Sequence, residues 1–279
     1  MRKRQMPSYD SARDRFRLAQ QHLGVLGCLY EGQPVPAELQ AAHEELKLTG
    51  FLAEDDSAMP ELAPLVSVLA GPIMVVNLEV TGPEGVTGNG AILGNDACYV
   101  YETWPGQDEA EYVPTDPSTL IWALARVAGL RERDAKPPQA AVIRTTMAAM
   151  DAGFAELGRL NLDSTSEAAG PVSSAIAEAS GLEEPELTVL THLLLQLTGN
   201  WRMTVAWPSA DGENTDIRGL AVLDCGPLGY WVRDLPAEPI LPGAVTPDSE
   251  LQLTFATAAE VWERITNLIP DELPAAPKN

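Results

Sequence analysis

Apolar positions in this chain follow two rhythms, and the rhythms recur in the same order twice. In 201–207, Trp201, Met203, Val205 and Trp207 alternate with Arg202, Thr204 and Ala206, the period of two that marks a half-covered strand. Residues 73–80 start as an unbroken apolar run and alternate only from Asn77 and Glu79 onward. Each predicted strand is preceded by a helix opening on Pro-Glu-Leu, at Pro60-Glu61-Leu62 and at Pro185-Glu186-Leu187. Proline suits that place because a first-turn residue forfeits no intrahelical hydrogen bond. Each strand is followed by turn chemistry, Thr81-Gly82-Pro83-Glu84-Gly85 and Pro208-Ser209-Ala210-Asp211-Gly212, and then by two more apolar runs, 90–94 and 97–104 against 217–224 and 228–235. Connections this short join antiparallel neighbours.

Each series closes on a helix. Leu120, Ile121, Leu124, Val127 and Ala128 form one apolar stripe beside Trp122, and Val261, Ile265, Leu268 and Ile269 form the other beside Trp262, 140 positions later. Further helices are predicted over 11–30, with Ser11 as N-cap, over 36–48, ending at Gly50, over 140–160 as one long element, and over 171–181. The expected fold class is α+β. Two similar halves, each of helices, antiparallel strands and a closing helix, are related by a quasi-twofold, with a central antiparallel sheet flanked by helical bundles. The expected division is a basic N-terminal tail over 1–12, a first half over 13–130, a linker over 131–140 containing Pro137-Pro138, a second half over 141–269, and a disordered tail over 270–279.

Composition removes several functions. The chain has 279 residues and can bury roughly 70–75% of its unfolded surface, so it needs no disulfide or metal staple. Forty acidic against 18 basic residues give a formal charge of −22, which argues against nucleic acid, since phosphate contacts need Lys and Arg. Three cysteines, Cys28, Cys98 and Cys225, match no zinc or redox spacing. No apolar run reaches the roughly 18 residues of a membrane span, and the basic N-terminus lacks a signal-peptide core. These features lead to the expectation of a cytoplasmic protein without membrane insertion. Arginine outnumbers lysine 14 to 4, which suits a high-GC bacterial genome.

The chemistry-bearing residues are scattered. His22, His43 and His192 fall on three different predicted helices, none with a partner at metal-ligand spacing. Gly82 to Gly88 is glycine-rich but lies between strands and reads as a hairpin, not a phosphate loop. Cys98 and Cys225 read as small buried residues, and Asp108-Glu109-Ala110-Glu111 as a solvated loop without the ordered oxygen spacing of a calcium site. No catalytic residue, metal ligand or cofactor is expected. The alternative is an enzyme or small-molecule binder using the cleft between sheet and helical bundle.

The whole-chain pattern over residues 13–269 resembles the EspG family, cytosolic chaperones of type VII (ESX) secretion. The features carrying the likeness are the helix end at Leu46–Gly50, the Pro-Glu-Leu helix and apolar strand after it, and the strand-then-helix endings at Tyr112–Leu130 and Leu251–Ile269. The resemblance implies a protein client, the tip of a helical-hairpin substrate of the PE–PPE type, held by the C-terminal helical bundle and an adjacent loop of the central sheet. Carried onto this chain, that surface is the 140–181 bundle together with the 207–217 loop and the alternating strand before it. Met147, Met150, Phe154, Trp201 and Met203 supply apolar contact there, and Asp211, Glu213 and Asp216 a polar rim. Flexible thioethers suit adaptable apolar surfaces, and helical spacing of 147, 150 and 154 equally suits a core. Monomer or dimer is left open.

Overall fold

A computed structural model describes residues 6–160, 165–209, 214–235 and 244–271. Among them the chain forms eleven strands and eight α-helices. The first half runs β1 (Ser8–Asp10), β2 (Arg15–Ala19), α1 (Gln20–Tyr30), α2 (Gln40–Leu48), α3 (Ala63–Ala70), β3 (Met74–Gly82), β4 (Gly85–Leu93), β5 (Cys98–Thr103), β6 (Glu109–Pro114) and α4 (Leu120–Val127). The second runs β7 (Val142–Thr146), α5 (Met147–Arg159), α6 (Thr165–Ser180), α7 (Glu186–Leu195), β8 (Gly199–Pro208), β9 (Thr215–Asp224), β10 (Tyr230–Asp234), β11 (Glu250–Ala256) and α8 (Ala258–Leu268).

All eleven strands join one antiparallel sheet in the order β1-β2-β6-β5-β4-β3-β8-β9-β10-β11-β7. The α+β expectation therefore holds. Cross-strand partners in register point to the same face, so pairings fix which residues share a side. On one face Val76, Ala91 and Val100 line up with Met203, Val205, Leu220 and Val222, and α4 and α8 cover them. On the other face Phe16, Leu18, Ile92, Tyr99 and Tyr112 pack under α1–α3. On that same second face Ile143, Trp231, Leu251 and Leu253 pack under α5–α7. Both three-helix bundles thus sit on one side of the sheet, and the two closing helices on the other.

Three local expectations are corrected. Residues 15–19 are strand, not the start of a long helix: Phe16 and Leu18 are buried against β6, while Arg15 and Arg17 reach Glu111 at 2.8 and 3.5 Å. Residues 142–146 are strand β7, paired with β11, so the predicted 140–160 helix begins only at Met147. The acidic run at 108–111 enters β6, with Glu109 buried and Glu111 holding two arginines, and is not a solvated loop. Residues 8–10 pair with β2 as a short edge strand, and the expected tail after 271 lies outside the described residues.

Candidate partner-binding surface

A narrow strip in the middle of the sheet is exposed on the bundle side, with Tyr101 donating to Asn77 Oδ1 at 3.0 Å from its edge. Asn77 and Glu79 of β3 and Arg202 of β8 are exposed there, and Glu79 stands directly across from Arg202. Gly88 beside Glu79 adds no side chain, which deepens the strip. The strip is bounded on both sides, by Tyr101 lying over Gly90 of β4 and by Leu235 lying over Gly219 of β9. The sequence had signalled this strip, since alternation in β3 starts where Asn77 and Glu79 break the apolar run.

Register decides which hairpin lies at which end of the sheet. Thr81 pairs with Asn200, and a Cβ built on Gly199 would meet the Thr81 carbonyl oxygen at 3.0 Å. Gly199 follows the end of α7 by four residues. The Gly82–Gly85 hairpin therefore lies at the end of the sheet where α7 leads into β8, while Val86, 56% exposed, lines a cleft of about 320 Å³ with Gln20, Tyr101 and Trp104 of the first half. The hairpin beyond Pro208 emerges at the opposite end, because Ala206 pairs with Val75. Pro208 lines a cleft of about 640 Å³ with Tyr30, Ser67 and Gly71, which belong to or follow α1 and α3.

The structure brings together only some of the expected site residues. Phe154 stands at the surface of α5, 41% exposed, and Met147 is half-buried, its sulfur accepting a hydrogen bond from Arg233 Nη1 at 3.4 Å. Met150 lies inside the bundle. Trp201 and Met203, 3% and 0% exposed, face α4 and α8, so their apolar surface is used in the core on the opposite side of the sheet. Asp216 is exposed, across from Trp207 and far along β8 from α7. Asp211 and Glu213 lie outside the described residues. Val86 and the Glu79–Arg202 strip were not among the expected residues, the one because it reads as an ordinary hairpin residue, the other because neither charge has a motif around it.

The ionisable groups are arranged for structure. Burial pushes the Cys98 thiol up to about 11, and burial with the nearby Asp224 charge pushes Cys225 up to about 12, so neither supplies a thiolate at neutral pH. Burial likewise raises Tyr101 to about 12. The Ala19 backbone N–H donates to His22 Nδ1 at 2.9 Å, which leaves Nε2 to donate to Glu45 at 3.0 Å. His43 Nε2 lies 2.6 Å from Asp56, which also takes Lys47 at 2.8 Å. Among the described residues no group of three His, Cys, Asp or Glu is placed to hold a metal ion, and no helix is long and apolar enough to cross a membrane.

The backbone as a whole has a solved counterpart. The fold is similar to that of a type VII secretion chaperone. The Mycobacterium tuberculosis type VII secretion system chaperone EspG5, solved in complex with a PE25–PPE41 dimer, superposes with a TM-score of 0.52 over 95% of this chain and 98% of its own, at 11% identity. No protein-family model matches the sequence, and no curated protein matches it. At that identity the likeness speaks for the fold. EspG5 itself is the protein bound to PE25–PPE41.

Proposed function

We propose that this protein is a non-enzymatic cytoplasmic chaperone that holds a helical-hairpin client of the PE–PPE type for type VII secretion. The observation carrying this reading is the fold likeness to EspG5 across nearly the whole of both chains. The client surface we assign is the exposed side of α5–α7 at Phe154 and Met147, the Gly82–Gly85 hairpin with Val86, and the open strip at Asn77, Glu79 and Arg202. It takes the Gly82–Gly85 hairpin in place of the 207–217 loop, because that hairpin shares an end of the sheet with the close of α7. A helical tip burying apolar knobs against Phe154 and Val86 would draw most of its affinity from those few contacts.

We also read the two halves as quasi-twofold copies. The strand order outward from the central β3–β8 pair supports this: β4, β5, β6, β2 on one side, and β9, β10, β11, β7 on the other. Each side runs through three consecutive strands and ends on the strand that precedes its half's helices.

The test is co-expression with PE–PPE-type pairs encoded near this gene, read by light scattering on size exclusion. A stable complex of one chaperone with one client pair is expected. Phe154→Asp and Val86→Glu should each weaken it at least about 30-fold, whereas Asp216→Lys should leave it unchanged. Loss of binding through Asp216→Lys with Val86→Glu silent would return the surface to the other hairpin. No complex with any candidate pair would sink the chaperone reading.

A further inference from the structure

Trp122 of α4 and Trp262 of α8 meet on the far side of the sheet from the surface just assigned, ring centroids 4.4 Å apart and planes inclined at 58°. Trp122 remains 69% exposed. Neither ring belongs to the core beneath, which Leu124, Val261 and Ile265 fill. An open groove of about 540 Å³ beside them is lined by Ala258 and Ala259 in the first turn of α8 and by Gly129 and Glu132 after α4. A groove walled by two indoles suits a polyproline II segment, because proline rings pack on aromatic faces and a preformed helix has little entropy left to lose.

Such a segment lies next along the chain. After α8 ends at Leu268, Ile269 has extended backbone (φ −76°, ψ 129°), and its side chain packs back on the core under α4 and α8. The chain therefore leaves the helix on the groove's side of the sheet. Beyond Asp271 the sequence reads Glu272-Leu273-Pro274-Ala275-Ala276-Pro277-Lys278-Asn279, two prolines three apart followed by a lysine. Composition alone gives this stretch as disordered, but polyproline II has no internal hydrogen bonds and carries the same signature. Lengths agree with the groove. Running back along α8, the ~9 Å from Leu268 to Trp262 takes about three residues of extended chain, which brings Pro274 level with Trp262. Three more residues rise ~9 Å and carry Pro277 past Ala258, ~6 Å from Trp262 along the axis, to the end of the groove. Charge agrees as well. Of the rim cations Arg126 is already paired with Glu102, which leaves Arg131 among Glu132, Glu260 and Glu263, and Lys278 is the one cation of the segment.

We propose that residues 272–279 of this chain seat in the Trp122–Trp262 groove as a polyproline II cap, with Pro274 on Trp262, Pro277 at the Ala258 end and Lys278 facing Glu132. Weak affinity suffices, because a tether this short supplies an effective concentration of about 1 mM. The cap is intramolecular and leaves the bundle side of the sheet free, so one chaperone still binds one client pair. The inference does not rest on the chaperone reading.

Fluorine NMR of the full chain carrying fluorotryptophan tests it, with Trp122→Phe and Trp262→Phe assigning two of the six resonances. Replacing both prolines, Pro274→Ala with Pro277→Ala, should shift those two and leave the others in place. A synthetic peptide of residues 271–279, added to a chain ending at Asp271, should return them with a dissociation constant below about 1 mM, and a scrambled peptide should not. Lys278→Glu in the peptide should weaken binding about 3-fold, and Glu132→Lys in the protein should restore it. Circular dichroism of each variant should match the parent. Resonances indifferent to the proline replacements, or no saturable return with the peptide, overturn the proposal. So do resonances of the full chain that move on dilution, which would assign the groove to a second copy. Client capture by the proline variant, measured in parallel, should be unchanged, and its loss would assign the groove to the client instead.

Discussion

The two helical bundles cover equivalent stretches of one sheet face and are held together by different means. In α1–α3, directional polar contacts supplement the core: His22 ties α1 to Glu45 of α2, and Asp56 gathers His43 and Lys47 of α2 onto the turn that follows it. In α5–α7, among the described residues, no ion pair joins one helix to another; Arg159–Glu156 stays within α5. Side-chain hydroxyls there bond to their own helix, Ser180 to Ile176 and Thr191 to Leu187. What fixes the second bundle is close packing at Gly153, where a Cβ would lie 2.3 Å from Leu194 Cδ1 and 3.3 Å from Ile176 Cγ1. Hydrogen bonds fix an angle and apolar interlock fixes a separation. The first bundle is therefore tuned by charge and pH as well as by packing, and the second by packing alone among the contacts described.

The largest effect that sharpens this contrast comes from matched core truncations. Leu46 and Ile176 are both fully buried, one in each bundle. Leu46→Ala and Ile176→Ala should each cost about 3 kcal/mol in urea unfolding. Only Ile176→Ala should also weaken client capture in the co-expression assay, because it loosens the bundle assigned to that task. Equal losses of capture from both variants would count against placing the client surface on the second bundle.

Histidines give the next step down. His22 is buried and accepts the Ala19 N–H, so His22→Ala leaves that donor without its acceptor and should cost about 2 kcal/mol. His192 lies exposed on α7, and His192→Ala should change stability by less than about 0.5 kcal/mol. Chemical denaturation of the two variants compares a polar lock with an apolar bundle directly. A costly His192→Ala would mean that α7 depends on a polar contact of its own.

How much of this was legible in the sequence depended on how local the deciding interaction is. Alternation at Trp201–Trp207 and the stripes of α4 and α8 carry their own evidence, and the structure has them as expected. Phe16 and Leu18 also alternate, but Leu23, Leu26 and Leu29 continue from them at helical spacing and absorbed them into one helix. Val142–Thr146 has one buried side chain, Ile143, and becomes a strand through β11, more than 100 residues away. The start of α6 at Thr165 precedes its first large apolar residue, Val172, and Pro171 lies inside the helix, so periodicity placed the start too late. The same non-locality governed the candidate surface. Phe154 was read from helical spacing, but which hairpin shares an end of the sheet with the close of α7 follows from the β3–β8 pairing, and no local pattern in either hairpin encodes that.

The smallest expected effect is acid and alkaline loosening of the first bundle. Hydrogen bonds from Lys47 and then His43 hold the Asp56 carboxyl below its ordinary 3.8, and the same Asp56 contact raises Lys47 above its ordinary 10.5. A carboxyl with a lowered folded value contributes its stabilisation fully above about 3.8 and loses it as pH falls below that. A raised lysine contributes fully below about 10.5 and loses its share as pH climbs past it. Asp56 and Lys47 are partly solvated, so the effect is local rather than global. Hydrogen bonds from Ser57, Ser118 and Thr257 also hold Asp55, Asp116 and Glu260 low, so a whole-protein acid melt would mix four sites. Hydrogen exchange at residues 40–58 separates Asp55 and Asp56 from the other two. Protection there should fall below pH 3.8, and Asp56→Asn should shrink that acid limb to the share Asp55 carries while leaving exchange in α5–α7 as it was. Identical acid profiles for the two bundles would show that the polar contacts of α1–α3 contribute nothing the apolar bundle lacks.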